Sequence, residues 1–94
     1  MRVRYTQTAL SELEEIFTYI ASRNPKAAAA VVARVERVVA WISDFPQMGY
    51  LIEDSVRVLP LGRYPFLIFY TADEDEVIIR NVRRVARRRP EQAE

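Results

Sequence analysis

Apolar residues recur along this chain with two different periods. Val3, Arg4 and Tyr5 alternate and predict a short strand over residues 3–5. Beyond them the spacing becomes helical. Leu10, Leu13, Ile16, Phe17, Ile20 and Ala21 fall three or four apart, which predicts a helix over 9–22. Thr6 and Thr8 are both suited to cap it, because a threonine hydroxyl can accept from the free amides of a first turn. Glu12, Glu14 and Glu15 fall in its early turns and read as a solvated, dipole-complementing surface. Asn24-Pro25 then pairs a capping residue with one pre-shaped for the first helical position. Val31, Val35, Val38, Val39, Ile42 and Phe45 form a continuous stripe, so a second helix is expected over 25–44, ended by Pro46. Two or three residues between the helices force an antiparallel hairpin.

The remainder reads as strands. Residues 47–55 are expected to be a loop, 56–59 a strand, 60–65 a turn, 66–71 a strand, 72–76 an acidic loop and 77–82 the last strand. The fold class is therefore α+β: an N-terminal short strand, then an antiparallel two-helix hairpin packed on a mostly antiparallel four-stranded sheet. Phe66-Leu-Ile-Phe-Tyr70 is apolar on both faces. One face is expected to meet the helices, and the other to be covered by the tail, another protomer or a partner chain. One domain is expected over 1–90, with a polar tail over 91–94.

Composition sharpens this picture. The 94 residues are half apolar and 29% charged, as in a globular domain, with a net charge of +1. That small value hides an asymmetry. Residues 1–76 carry 8 Lys/Arg against 11 Asp/Glu, whereas 77–94 carry 6 Arg against 2 Glu. Thirteen of the 14 cations are Arg, the residue of choice where a planar fork must meet an oxyanion. Zero Cys and zero His exclude disulfides, cysteine- or histidine-based metal sites, thiol nucleophiles and Ser-His-Asp chemistry. No metal, cofactor or small-molecule substrate is expected. The start has no apolar signal-peptide core, and no apolar run approaches the roughly 20 residues that span a bilayer. A cytoplasmic protein without membrane contact is expected.

Five segments in order carry a resemblance: 8–20 (Thr-Ala-Leu-Ser-Glu-Leu-Glu-Glu-Ile-Phe-Thr-Tyr-Ile), 23–28 (Arg-Asn-Pro-Lys-Ala-Ala), 44–49 (Asp-Phe-Pro-Gln-Met-Gly), 62–70 (Gly-Arg-Tyr-Pro-Phe-Leu-Ile-Phe-Tyr) and 80–90 (Arg-Asn-Val-Arg-Arg-Val-Ala-Arg-Arg-Arg-Pro). The series resembles the RelE/ParE superfamily of type II toxin–antitoxin toxins, and within it the ParE branch. The resemblance implies a small cytoplasmic toxin held inactive by a cognate, ParD-like antitoxin of ribbon-helix-helix type. It implies DNA gyrase as the target, and contact with operator DNA only through the antitoxin. The RelE branch instead cleaves mRNA on the ribosome.

Chemistry separates the branches. Cleavage by a 2′-hydroxyl needs a base, a cation for the phosphorane and an acid for the leaving oxygen. After Tyr70 the chain has no Tyr, Lys or His. Arginine, with a pKa above about 12, stabilises phosphate but moves no proton at neutral pH. The nuclease alternative would rest on Arg63, Tyr64 and Arg84 as catalytic residues. The favoured reading is a non-enzymatic poison whose target-binding surface is Arg63, Arg83, Arg84, Arg87 and Arg88. The antitoxin is expected on the apolar sheet face and the hairpin groove, with Val58, Leu67, Phe69 and Arg80 as its contacts. Trp41 reads as the edge of the core.

Overall fold

Capping chemistry sets the two helices in the computed structural model, which describes residues 1–85. Helix α1 (Gln7–Ala21) starts where the Thr6 hydroxyl accepts from the Ala9 amide at 3.0 Å. Helix α2 (Pro25–Asp44) starts where the Asn24 side chain accepts from the Ala27 amide at 3.1 Å, with Pro25 in the first turn. Both side chains satisfy amides that no helical carbonyl can reach. Between the helices the Asn24 amide donates to the Ile20 carbonyl at 2.8 Å, which closes the hairpin tightly.

Strand β1 (Arg2–Tyr5) precedes the helices. Strands β2 (Tyr50–Glu53), β3 (Val56–Leu61), β4 (Tyr64–Ala72) and β5 (Glu76–Arg84) follow them. The sheet order is β1-β5-β4-β3-β2, with β1 parallel to β5 and all other neighbours antiparallel. The α+β class and the helical hairpin hold, but the sheet has five strands rather than four. The extra strand, β2, lies in the expected loop. Asp54, at φ +40°, turns it back onto β3. Asp is one of the few side chains that tolerate this left-handed backbone.

The helices cover one face of the sheet. Val31, Val35, Val38, Val39 and Ile42 of α2 pack with Leu61, Phe66, Ile68, Tyr70, Val77, Ile79 and Val82 of the strands. Two expectations about the stripes are corrected. In α1 the inward line is Ala9, Leu13, Ile16 and Ile20, whereas Leu10 and Phe17 are 48% and 45% exposed. Phe45 leaves the α2 stripe because it is the C-cap, with φ −135°, and is 66% exposed. Trp41 is likewise exposed rather than part of the core.

Glu12 also departs from expectation. It lies beyond the first turn of α1, and its carboxylate accepts from the Val82 amide at 2.9 Å and from Asn81 Nδ2 at 3.3 Å. β1 ends at Tyr5, opposite Ile79, so the outer edge of β5 is unpaired beyond that point. Glu12 takes up its amide there, an edge-covering role rather than a dipole one. At the opposite end of β5, Asp73 shapes the β4–β5 turn. Its carboxylate accepts from the Glu76 and Asp75 amides at 2.9 and 2.8 Å, which holds the carboxyl below the usual carboxylate range.

Candidate functional site

Alternation along β4 sends Phe66, Ile68 and Tyr70 to the helices and Leu67 and Phe69 to the opposite face. Register extends that second face across the sheet. Tyr50 pairs with Val58, Val58 with Phe69, and Phe69 with Asn81, giving one row across four strands. Pro60, Leu67 and Arg83 form the adjacent row. Among the described residues no element packs over this face. Val58, Leu67 and Phe69 are half-buried by one another, and Tyr50 is 71% exposed.

Arg80 borders the same face through a defect in the ladder. Phe69 pairs with Asn81 while Tyr70 pairs with Ile79, so Arg80 is the extra residue of a β-bulge. Its carbonyl accepts from the Thr6 hydroxyl at 2.9 Å, and its Nε donates to Thr71 Oγ1 at 3.0 Å. Val58, Leu67, Phe69 and Arg80, assigned from sequence to the antitoxin, thus share one side of the sheet. Tyr50 belongs with them and was missed, because it lies in the segment read as loop.

The second candidate region is the end of the sheet where β4 begins and β5 ends. Phe66 pairs with Arg84, and the Val85 amide donates to the Pro65 carbonyl at 2.9 Å. Arg84 lines an apolar recess of about 320 Å³ with Glu15, Ile16, Tyr19, Ile20 and Phe66. Arg83 projects to the open face and reaches Glu12 at 3.6 Å. Arg63 sits in the two-residue turn after Gly62, with its guanidinium 5.5 Å from the centre of the Tyr64 ring. Arg34 of α2 also lies over that ring, at 5.6 Å. Arg87 and Arg88 lie outside the described residues.

Among the described residues, Tyr64 and Arg84 line different recesses. Tyr64 lines a recess against α2 with Ala30, Ala33, Arg34 and Arg37, whereas Arg84 lines the one against α1. Sequence reasoning missed Arg34 and Arg37, which lie off the apolar stripe of α2. Among the described residues no three acidic side chains gather as a metal would require, and no helix is long and apolar enough to cross a bilayer.

Comparison with known proteins agrees with this arrangement. Residues 3–89 match the family model described as the ParE toxin of the type II toxin–antitoxin system parDE. A protein of Sinorhizobium fredii (strain NBRC 101917 / NGR234), named "Putative toxin Y4kP", is 38% identical over 79 residues, which is 83% of this chain and 82% of that protein. A solved structure described as the chromosomal ParDE TA system from P. aeruginosa superposes with a TM-score of 0.67 at 22% identity. The match covers 92% of this chain and 97% of the other, and it shows the same fold. The family match over residues 3–89 and the 38% identity to the Sinorhizobium protein place the chain in the ParE toxin family of type II toxin–antitoxin systems.

Proposed function

We propose that this toxin arrests growth by binding DNA gyrase rather than by cleaving RNA, and that a cognate antitoxin neutralises it. The observation that carries the binding reading is the division of the basic end into two recesses. Tyr64 is the one residue of the Arg63, Tyr64 and Arg84 set able to transfer a proton, and it lines a different recess from Arg84. What remains is a set of guanidinium groups, suited to holding an anionic or acidic surface and not to acid–base chemistry.

The antitoxin is assigned to the open sheet face. An apolar face of Tyr50, Val58, Leu67 and Phe69, bordered by Arg80 and Arg83, fits a segment with apolar anchors and acidic flanks. A ribbon-helix-helix antitoxin of the ParD kind would supply such a segment from its C-terminal part and make the operator contacts itself. The description of the Pseudomonas structure as a ParDE system supports a partner of this kind.

The test is a pair of assays on the purified chain. Inhibition of gyrase supercoiling or trapping of cleaved DNA complexes, with intact mRNA on translating ribosomes, supports the proposal. Discrete mRNA cleavage with normal supercoiling refutes it.

A further inference from the structure

The recess against α2 has features that neither the antitoxin face nor the C-terminal arginines account for. Ala30, Ala33, Arg34 and Arg37 recur three and four apart, so they occupy one face of the helix. That face adjoins Tyr64 at the start of β4, with Arg63 next to it in the β3–β4 turn. The resulting recess measures about 210 Å³. Arg34 is half-buried, with Arg37 and Arg63 exposed beside it. Among the described residues none of the three makes an ion pair; those present join Arg4 to Glu76 and Arg83 to Glu12.

The turn lies against one of these cations. Gly62 has φ +67°, in the left-handed region, and a Cβ there would collide with Arg34 Nη1. The Tyr64 ring supports two guanidiniums, and such a contact contributes only about 0.5–1 kcal/mol at an exposed site. Three like charges thus gather around one ring and recess without an ion-pair partner among the described residues, and each leaves fork-shaped donors for oxyanions.

We infer that Arg34 and Arg63, resting on the Tyr64 ring, and Arg37 beside them form a phosphate-binding site for the backbone of duplex DNA. A nucleic acid fits better than an acidic peptide. Peptide recognition relies on large apolar anchors seated in pockets, and the floor here is two alanines. Backbone phosphates need only cations and close approach, which alanines permit. The site lies on the helix side of the sheet, away from the face assigned to the antitoxin. It does not depend on the identity of the toxin's target.

The test measures fluorescence anisotropy of a labelled DNA duplex of arbitrary sequence across a salt series. The full chain is compared with the R34Q/R37Q/R63Q variant. To isolate the site from the C-terminal arginines, the same comparison is repeated with R83Q, R84Q, R87Q and R88Q present in both proteins. The inference expects the association constant to fall at least about tenfold at low salt. It also expects the slope of log K against log salt to flatten by about 0.9 for each phosphate no longer neutralised, hence by about two to three in all. R37Q alone, at an exposed position, should flatten the slope by about one and leave the melting temperature unchanged. Unchanged affinity and slope in these variants would overturn the inference. So would a loss of polyglutamate binding with DNA binding intact, because that result assigns the arginines to an acidic protein.

Discussion

The hydroxyl of Tyr70 accepts from the backbone amide of Gly49 at 2.9 Å and donates to the carbonyl of Pro46 at 2.8 Å. Tyr70 is the last residue of the 62–70 segment, and Pro46 and Gly49 belong to the segment that ends α2. Two sequence signatures far apart in the chain therefore meet at one phenol. Arg57, across the ladder from Tyr70, holds the same loop by donating to the carbonyls of Gln47 and Gly49 at 3.2 and 2.8 Å. The pair fixes where α2 stops and thereby where β2 begins.

Removing the hydroxyl leaves the buried Gly49 amide and the Pro46 carbonyl without their partner. Y70F should cost about 1–3 kcal/mol, the usual penalty for orphaned buried polar groups. G49A should cost at least as much, because its Cβ would stand 2.7 Å from the Tyr70 oxygen and 2.8 Å from Cε1 of a fully buried ring. Urea denaturation of both variants checks this through the midpoint at constant slope.

The same phenol predicts an alkaline limit to stability. Burial pushes the Tyr70 hydroxyl above its ordinary value near 10, outweighing the opposing pull of the Gly49 amide and the Arg57 charge. Burial, helped by the Glu36 charge, pushes Tyr5 up as well. A raised phenol binds its proton more tightly in the folded state. Its contribution is therefore fully present below pH about 10 and is lost as pH rises through the folded value. Wild-type stability should decline above pH about 10, and Y70F should show a shallower decline that retains the Tyr5 part. Chemical denaturation at a series of alkaline pH values would refute this if the two slopes coincide.

Much of the helical hairpin was legible because its signals are local. Asn24-Pro25 and Pro46 bracket α2, and Thr6 caps α1 three residues ahead of the amide it accepts from. The open sheet face was legible too, since Phe66–Tyr70 is apolar in both parities. β2 was not, because Tyr50, Leu51 and Ile52 are all exposed and show no alternation for a half-buried strand to reveal. The roles of Glu12 and Arg34 were hidden for a different reason. Glu12 meets Val82 across 70 residues of chain, and Arg34 meets a turn whose backbone conformation only the folded hairpin defines.

Glu12 should behave as an edge cap for β5. E12A removes the acceptor for the Val82 amide and should destabilise by about 1–3 kcal/mol. E12Q keeps an oxygen for that amide and gives up only the ion pair with largely exposed Arg83, so it should cost well under 1 kcal/mol. Hydrogen exchange at the Val82 amide distinguishes the two, rising in E12A and staying close to wild type in E12Q.

The C-terminal arginines are predicted to act in toxicity and not in folding. Arg83 and Arg84 are exposed at the end of β5. Replacing Arg83, Arg84, Arg87 and Arg88 by Ala should abolish growth arrest on induction without antitoxin while the circular dichroism spectrum is preserved. Full toxicity in that variant would reduce the cluster to a solvated surface.

Leu67 and Phe69 offer the sharpest separation of partner binding from stability. Both point away from the helices, so L67D or F69D places a charge on an uncovered face and not in the core. The folded state should lose about 1–2 kcal/mol, from strand propensity and half-buried apolar surface. In the antitoxin complex, however, the carboxylate of F69D, between Val58 and Asn81, would be buried against apolar side chains, and that of L67D would in addition take Arg83 from the partner; burying an uncompensated charge of this kind costs several kcal/mol. Titration calorimetry with the cognate antitoxin should therefore show at least a hundredfold weaker binding, and each variant should escape neutralisation in cells while remaining toxic. Antitoxin affinity equal to wild type would move the contact surface off this face of the sheet.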